Sequence, residues 1–141
     1  MTKRPTRHIT AGWRHRSCLT QQRMEWLLVL LWVQGVYTLA TGVWPIVHMR
    51  SFESVTGPKA DRWLVKTVGA LLIPVASCWL WNAWHSTAST EAALLGIATA
   101  LGLATVDFYY AGIGRIRKIY MVDGVLQLGF ASCWAVGSWA A

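Results

Sequence analysis

The chain has 141 residues, of which 55% are hydrophobic and only 13% charged, with a mean hydropathy of +0.38. Such a composition is too apolar for a soluble domain of this length and makes lipid the expected solvent. The net charge of +7 and pI near 9.8 are divided among the flanks of apolar stretches, where basic residues serve as anchors at anionic headgroups, so no nucleic acid is expected as a partner.

A spanning helix needs roughly 20 mostly apolar residues at about 1.5 Å rise each. Four stretches satisfy this, at about 26–47, 65–84, 91–111 and 119–140. The expected fold is therefore all-α, an integral membrane four-helix bundle over residues 25–141, preceded by a basic tail over 1–24. In the tail, Trp13 sits among Lys3, Arg4, Arg7, Arg14 and Arg16, the composition of a segment that orders only against a partner or anionic lipid.

The first span is apolar apart from Gln34, Thr38 and Thr41, and Trp44 and Pro45 mark its end. Its apolar run exceeds the ~7–15 residues of a signal-peptide core and no Ala-x-Ala site follows promptly, so it is expected to stay in the mature protein. The following loop, SFESVTGPKADRWLVKTVG, carries Thr56, Gly57, Pro58, Lys59, Asp61 and Arg62. Gly57 and Pro58 predict a turn, and Asp61 predicts an N-cap for the next helix. The TGPK run lacks the GxxxxGK[ST] of a phosphate loop, so a lipid headgroup on Lys59 and Arg62 fits as well as a nucleotide.

The second span contains Pro74, which should kink it, with Ser77 placed to satisfy the freed carbonyl. Ser89 or Thr90 can cap the third span, and Glu91 suits its positive end. Along this helix Ala92, Gly96, Ala100 and Ala104 recur every fourth position, and Gly129, Cys133, Gly137 and Ala141 do the same on the fourth. Small residues at that spacing let helix backbones approach closely, within one chain or against a partner's helix.

Alternating spans place the two charged loops on one face, the loop side, and the N-terminal tail with the HSTAST turn on the other, the tail side. The tail side holds Lys3, Arg4, Arg7, Arg14, Arg16 and Arg23; the loop side holds Arg50, Lys59, Arg62, Lys66, Arg115, Arg117 and Lys118. Basic residues favour the cytoplasm, but these sets balance and leave the orientation open. Tryptophans Trp26, Trp79, Trp81, Trp84, Trp134 and Trp139 fall toward the tail side and Trp44 and Trp63 toward the loop side, as two interfacial belts would place them. Ten tryptophans are many for belts alone; interfacial anchoring is the favoured reading, and Trp-rich edges also suit a bound lipid, a flat pigment or another protein.

Asp107 and Asp123 fall near the loop-side ends of the third and fourth spans. An intramembrane carboxylate usually pairs or faces a polar cavity, and Arg115, Arg117, Lys118 and Tyr120 are the nearest partners in sequence, with Gln127 one turn beyond Asp123. An ion-pair network is the favoured expectation; acid–base or proton work in a small carrier or membrane-embedded enzyme is the alternative. Other chemistry has little support. Cys18, Cys78 and Cys133 form no CxxC or CxxCH motif, Cys78 and Cys133 reading as packing residues. His48 and His85 lie at opposite faces and are weak candidates for a pigment or haem, with capping the simpler role. No nucleophile motif, metal set or intrinsic cofactor is expected.

The run Phe52, Val55-Thr56-Gly57-Pro58-Lys59, Asp61, Trp63-Leu64-Val65 and Thr67-Val68-Gly69, with Asp107 and Tyr120 to Asp123 downstream, resembles a family of small, uncharacterised four-helix bacterial membrane proteins. The resemblance covers about residues 25–135. It implies a four-helix fold in a bacterial inner (cytoplasmic) membrane and attaches no activity. The expected function is that of a non-enzymatic accessory subunit of a larger membrane complex, with an energy-converting host such as a photosynthetic reaction centre with its antenna, or a respiratory supercomplex.

Overall fold

The computed structural model describes the backbone of residues 9–139 and the side chains of residues 21–138. Among the described residues five helices follow one another: α1 (Ile9–Val47), α2 (Met49–Thr56), α3 (Arg62–Trp84), α4 (Thr90–Gly112) and α5 (Ile119–Trp139). Four of them contain segments long and apolar enough to cross a bilayer, Gln21–Val47, Arg62–Trp84, Thr90–Gly112 and Ile119–Ser138. The chain is a multi-pass, all-helical membrane protein whose spans pack against one another.

Two differences from the sequence expectation concern helix limits. At 39 residues and 1.5 Å each, α1 is about 58 Å long, roughly twice the thickness of a hydrocarbon core. Part of the segment expected to need a partner for order thus continues the first span as helix. Extending a helix already formed requires no new nucleus, and Gln21, Gln22, Arg23, Met24 and Glu25 are straight-chain helix formers. The side chains of Trp13, Arg14, Arg16, Cys18 and Trp139, and all of Lys3, Arg4, Arg7 and Ala141, lie outside the described residues.

The second difference is α2, where a plain turn was expected. His48 caps it, Nδ1 accepting from the Ser51 N–H at 3.2 Å. Phe52 and Thr56, four residues apart, are its buried face, and the helix lies on α1 and α5. It closes at Gly57, whose φ of 89° suits glycine and whose N–H donates to the Glu53 carbonyl at 2.8 Å. Asp61 precedes α3 without a side-chain cap bond; its backbone carbonyl accepts from Leu64 and Val65.

The bundle consists of two tight antiparallel pairs, α1 with α3 and α4 with α5, joined mainly by α1 against α5. The first pair meets at glycine: a Cβ on Gly69 would lie 2.4 Å from the Gly42 carbonyl oxygen. Each glycine admits the other's backbone, the close approach by which helices associate in lipid. In the second pair, Ala92, Gly96, Ala100, Ala104 and Ala111 of α4 are buried. Gly96 makes an indole slot: a Cβ there would stand 2.4 Å from Trp134 Nε1.

The small residues of α5 do not mirror that pattern. A Cβ on Gly129 would touch nothing within 4 Å, Cys133 is exposed, and only Gly137 contacts another helix, at Leu27 of α1. The buried stripe of α5 is instead Gly124, Gln127, Ala131 and Trp134. Two tryptophans assigned to the belts also turn inward: Trp79 and Trp134 are fully buried, in a cluster with Leu31, Ala83 and Ala92. Trp26, Trp63, Trp81 and Trp84 stay exposed, as a belt requires.

Several helix ends among the described residues are satisfied. Ser89 Oγ accepts from the Ala92 N–H at 3.2 Å and caps α4. The α4 C-terminus closes as a Schellman motif, Arg115 N–H donating to Tyr110 O and Gly114 N–H to Ala111 O, with Gly114 at φ 71°. The same closure ends α3 through Thr87 and Ser86, but there the left-handed residue is Ser86, at φ 52°. Arg23 reaches across from α1 to the Gly137 and Ser138 carbonyls at 2.6 and 2.9 Å, placing a cation at the negative end of α5. Ser77 does not serve Pro74 as expected. Its hydroxyl donates to Ile73 O, whereas the carbonyl that Pro74 frees is that of Ala70.

Candidate functional site: a polar bundle interior and a basic cleft

The interior changes character along the membrane normal. Its tail-side half is the apolar cluster of Leu31, Trp79, Ala83, Ala92 and Trp134. From there polar side chains lead toward the loop side. Trp134 Nε1 donates to Gln34 Oε1 at 2.6 Å, and Gln34 Nε2 donates to the Gly96 carbonyl at 3.4 Å, so one glutamine links α5, α1 and α4. Gln34, Thr38 and Gln127 are each 2% exposed or less. A buried polar group without a partner is costly in lipid, so such links fix the relative rotation of the helices.

The polar interior ends at the two aspartates. Asp107 of α4 is 6% exposed, and its Oδ2 has no hydrogen-bond partner. It lies against Gly124 of α5, where a Cβ would come 3.4 Å from Asp107 Cβ, and so beside Asp123, the residue that precedes Gly124. Asp123 Oδ1 accepts from the Tyr37 hydroxyl at 2.5 Å and from Gln127 Nε2 at 3.4 Å. Tyr37, ten residues before the end of α1, could not be assigned to this group from sequence, because nothing local in the chain marks which α1 face meets α5.

The basic residues expected to neutralise the aspartates are engaged elsewhere. Among the described residues the ion pair is Arg62 with Glu53, a two-pronged contact with both bonds at 2.8 Å. Arg62 holds the Glu53 carboxyl below the usual carboxylate range through these hydrogen bonds. Arg117 packs beneath Gly57 and points Nη1 at the Ser54 and Val55 carbonyls, at 3.5 and 3.3 Å. A cation at the last carbonyls of α2 is a favourable C-terminal contact. Lys59 Nζ stands 4.6 Å from the centre of the Tyr120 ring and 5.9 Å from that of Phe52, two cation–π contacts.

These placements bring the TGPK loop and the loop between α4 and α5 together around a cleft of about 920 Å³. Lys59, Arg115, Arg117 and Lys118 supply its charge, against Asp61; Leu64, Val65, Tyr110 and Ile116 give it apolar walls. Ala111 lies at its base, one turn beyond Asp107 on the same buried face of α4. Thr56 borders the cleft with its hydroxyl committed to Phe52 O at 2.8 Å, and Pro58 is exposed at its rim.

His48 caps α2, and His85 Nδ1 pairs with Trp81 O at 2.9 Å while its ring lies 4.3 Å from that of Trp81. Cys78 and Cys133 are exposed on the bundle's outer surface and do not pack inside it as expected. Among the described residues no three His, Cys, Asp or Glu side chains gather as metal ligands. No protein-family model, curated protein or solved structure matches the chain.

Proposed function

We propose that the chain is a non-enzymatic accessory subunit of a larger membrane complex in a bacterial inner membrane. The observation that supports this reading is the outer face of α5, where Gly129 is bare and Cys133 is exposed. The equally spaced small residues of α4 are already used inside the bundle. Helices in lipid gain little from hydrophobic burial, and a small-residue face lets a neighbouring helix approach closely. The exposed indoles of Trp63, Trp81 and Trp84 add flat apolar edges of the kind that contact protein, lipid acyl chains or pigment. An energy-converting host, a photosynthetic reaction centre with its antenna or a respiratory supercomplex, is the proposed setting. At the loop side, the cleft of Lys59, Arg115 and Lys118 takes an anionic lipid headgroup: its charges suit a phosphate and its apolar walls the adjoining glycerol and acyl carbons.

The test is mild-detergent purification of the tagged chain from its native membrane, followed by mass spectrometry and an absorption spectrum. Stoichiometric recovery with a large pigmented or haem-bearing complex is the expected result, and Gly129→Leu should abolish it without unfolding the chain, since that Cβ meets open space. A lone, colourless monomer or homodimer would refute the reading.

A further inference from the structure

The Asp107–Asp123 pair has a use beyond docking and independent of it. Asp107 is 94% buried beside Asp123, being 6% exposed, and its Oδ2 is enclosed without a hydrogen-bond partner. From α1 comes Tyr37, whose hydroxyl is committed to Asp123 Oδ1; from α5 come Asp123 itself and the neutral Gln127. The nearby cations are engaged at α2 and at the Tyr120 ring or line the cleft, and neither aspartate has an ion-pair partner among the described residues. Two neighbouring carboxyls at membrane depth with one oxygen unpaired lack one hydrogen-bond donor, and a single proton supplies it.

We propose that Asp107 and Asp123 form a membrane-embedded proton-binding site that exchanges with the loop side of the membrane only. On binding, a proton from water in the cleft bonds to one carboxyl oxygen of the pair and bridges to the other carboxyl; on release that O–H bond breaks and the proton returns to water. The route runs past Ala111, which is four residues, or about 6 Å along the helix, from Asp107 and lines the base of the cleft. In the opposite direction Trp134 and Gln34 are already bonded to one another, and beyond them the packed cluster of Leu31, Trp79 and Trp134 closes the path. The site therefore loads and unloads at one face, as a sensor or buffer of loop-side pH does and a through-channel does not.

Infrared spectroscopy of the chain in lipid nanodiscs reads this directly. At neutral pH the wild type should show the C=O band of a neutral carboxylic acid, shifting in deuterated water. The band should disappear in both Asp107→Asn and Asp123→Asn, persist in Glu25→Gln and Glu91→Gln, and move in Tyr37→Phe, which removes the hydrogen bond to Asp123. Ala111→Phe should slow deuterium exchange of the band severalfold by filling the cleft base; exchange at the wild-type rate would overturn the one-sided route. A wild type without the band at neutral pH, or a band unchanged in both asparagine variants, would overturn the site. Displacement of the band by sodium at constant pH would overturn the proton assignment in favour of a metal cation. The wild-type spectrum decides even if a variant fails to fold.

Discussion

Replacing Gly69 by alanine tests the packing of α1 on α3. The new Cβ would stand 2.4 Å from the Gly42 carbonyl oxygen, and since real Cβ contacts essentially never fall under 3.0 Å, the helices must part by at least 3.0 − 2.4 = 0.6 Å. The obstacle is backbone on both sides and has no rotamer to change. Overpacking of this kind costs about 1–3 kcal/mol, while alanine gains back up to about 1 kcal/mol of helix propensity. Gly102→Ala is the matched control. Its Cβ meets nothing within 4 Å, so it retains the propensity gain, and the two variants should differ by about 1–3 kcal/mol. The assay is reversible unfolding in mixed micelles with increasing denaturing detergent, followed by circular dichroism. Gly69→Ala as stable as Gly102→Ala would refute the close crossing at Gly42.

Other consequences can be checked with the same preparation. Trp134→Phe removes the donor to Gln34 Oε1 and leaves a buried acceptor unmatched, so it should cost about 1–2 kcal/mol in that unfolding assay. Ser86→Gly relieves a left-handed serine at φ 52° and should stabilise the chain by up to about 1 kcal/mol; a loss of stability would count against the helix closure described. For the Glu53–Arg62 pair, the folded carboxyl titrates below its ordinary value of 4.5 because Arg62 donates to it. Its stabilisation is therefore complete above the ordinary carboxylate range and is lost as pH falls through the lowered folded value. Hydrogen-exchange protection over residues 49–62, taken relative to the intrinsic rate at each pH, should fall on acidification in the wild type, and Glu53→Gln should remove that acid-dependent step. The double variant Arg115→Gln with Lys118→Gln should retain less anionic phospholipid in native mass spectrometry, with no change for zwitterionic lipid. Equal retention would remove the headgroup from the cleft.

Length and hydropathy alone located the four spans, because a bilayer imposes one requirement that can be read along the chain: about 20 apolar residues per crossing. Local rules also offered Ser89 or Thr90 as the cap of α4, and Ser89 is the one that serves, since an N-cap depends only on neighbouring backbone. The first loop was less legible. Capping was the simpler role read for His48 and is the one it takes, but the helix α2 that it caps was expected only as a turn.

Which face of each helix turns inward was decided by the tertiary structure. In water an amphipathic pattern separates core from surface, but here interior and lipid-facing positions are both apolar and the pattern vanishes. Hence Gly129 and Cys133 of α5 look outward although their spacing copies that of α4, and Trp79 and Trp134 are core residues although their positions suit a belt. The aspartates follow the same logic. Sequence proximity offered them Arg115, Arg117 and Lys118, but those residues lie beyond the helix ends and meet the first loop and α2, while the rotation of α1 brings Tyr37 to Asp123 across 86 residues of chain. Hydropathy fixes how often the chain crosses the membrane; the steric match of Gly42 with Gly69 and of Gly96 with Trp134 helps fix how the crossings are rotated, and with that what the polar interior contains.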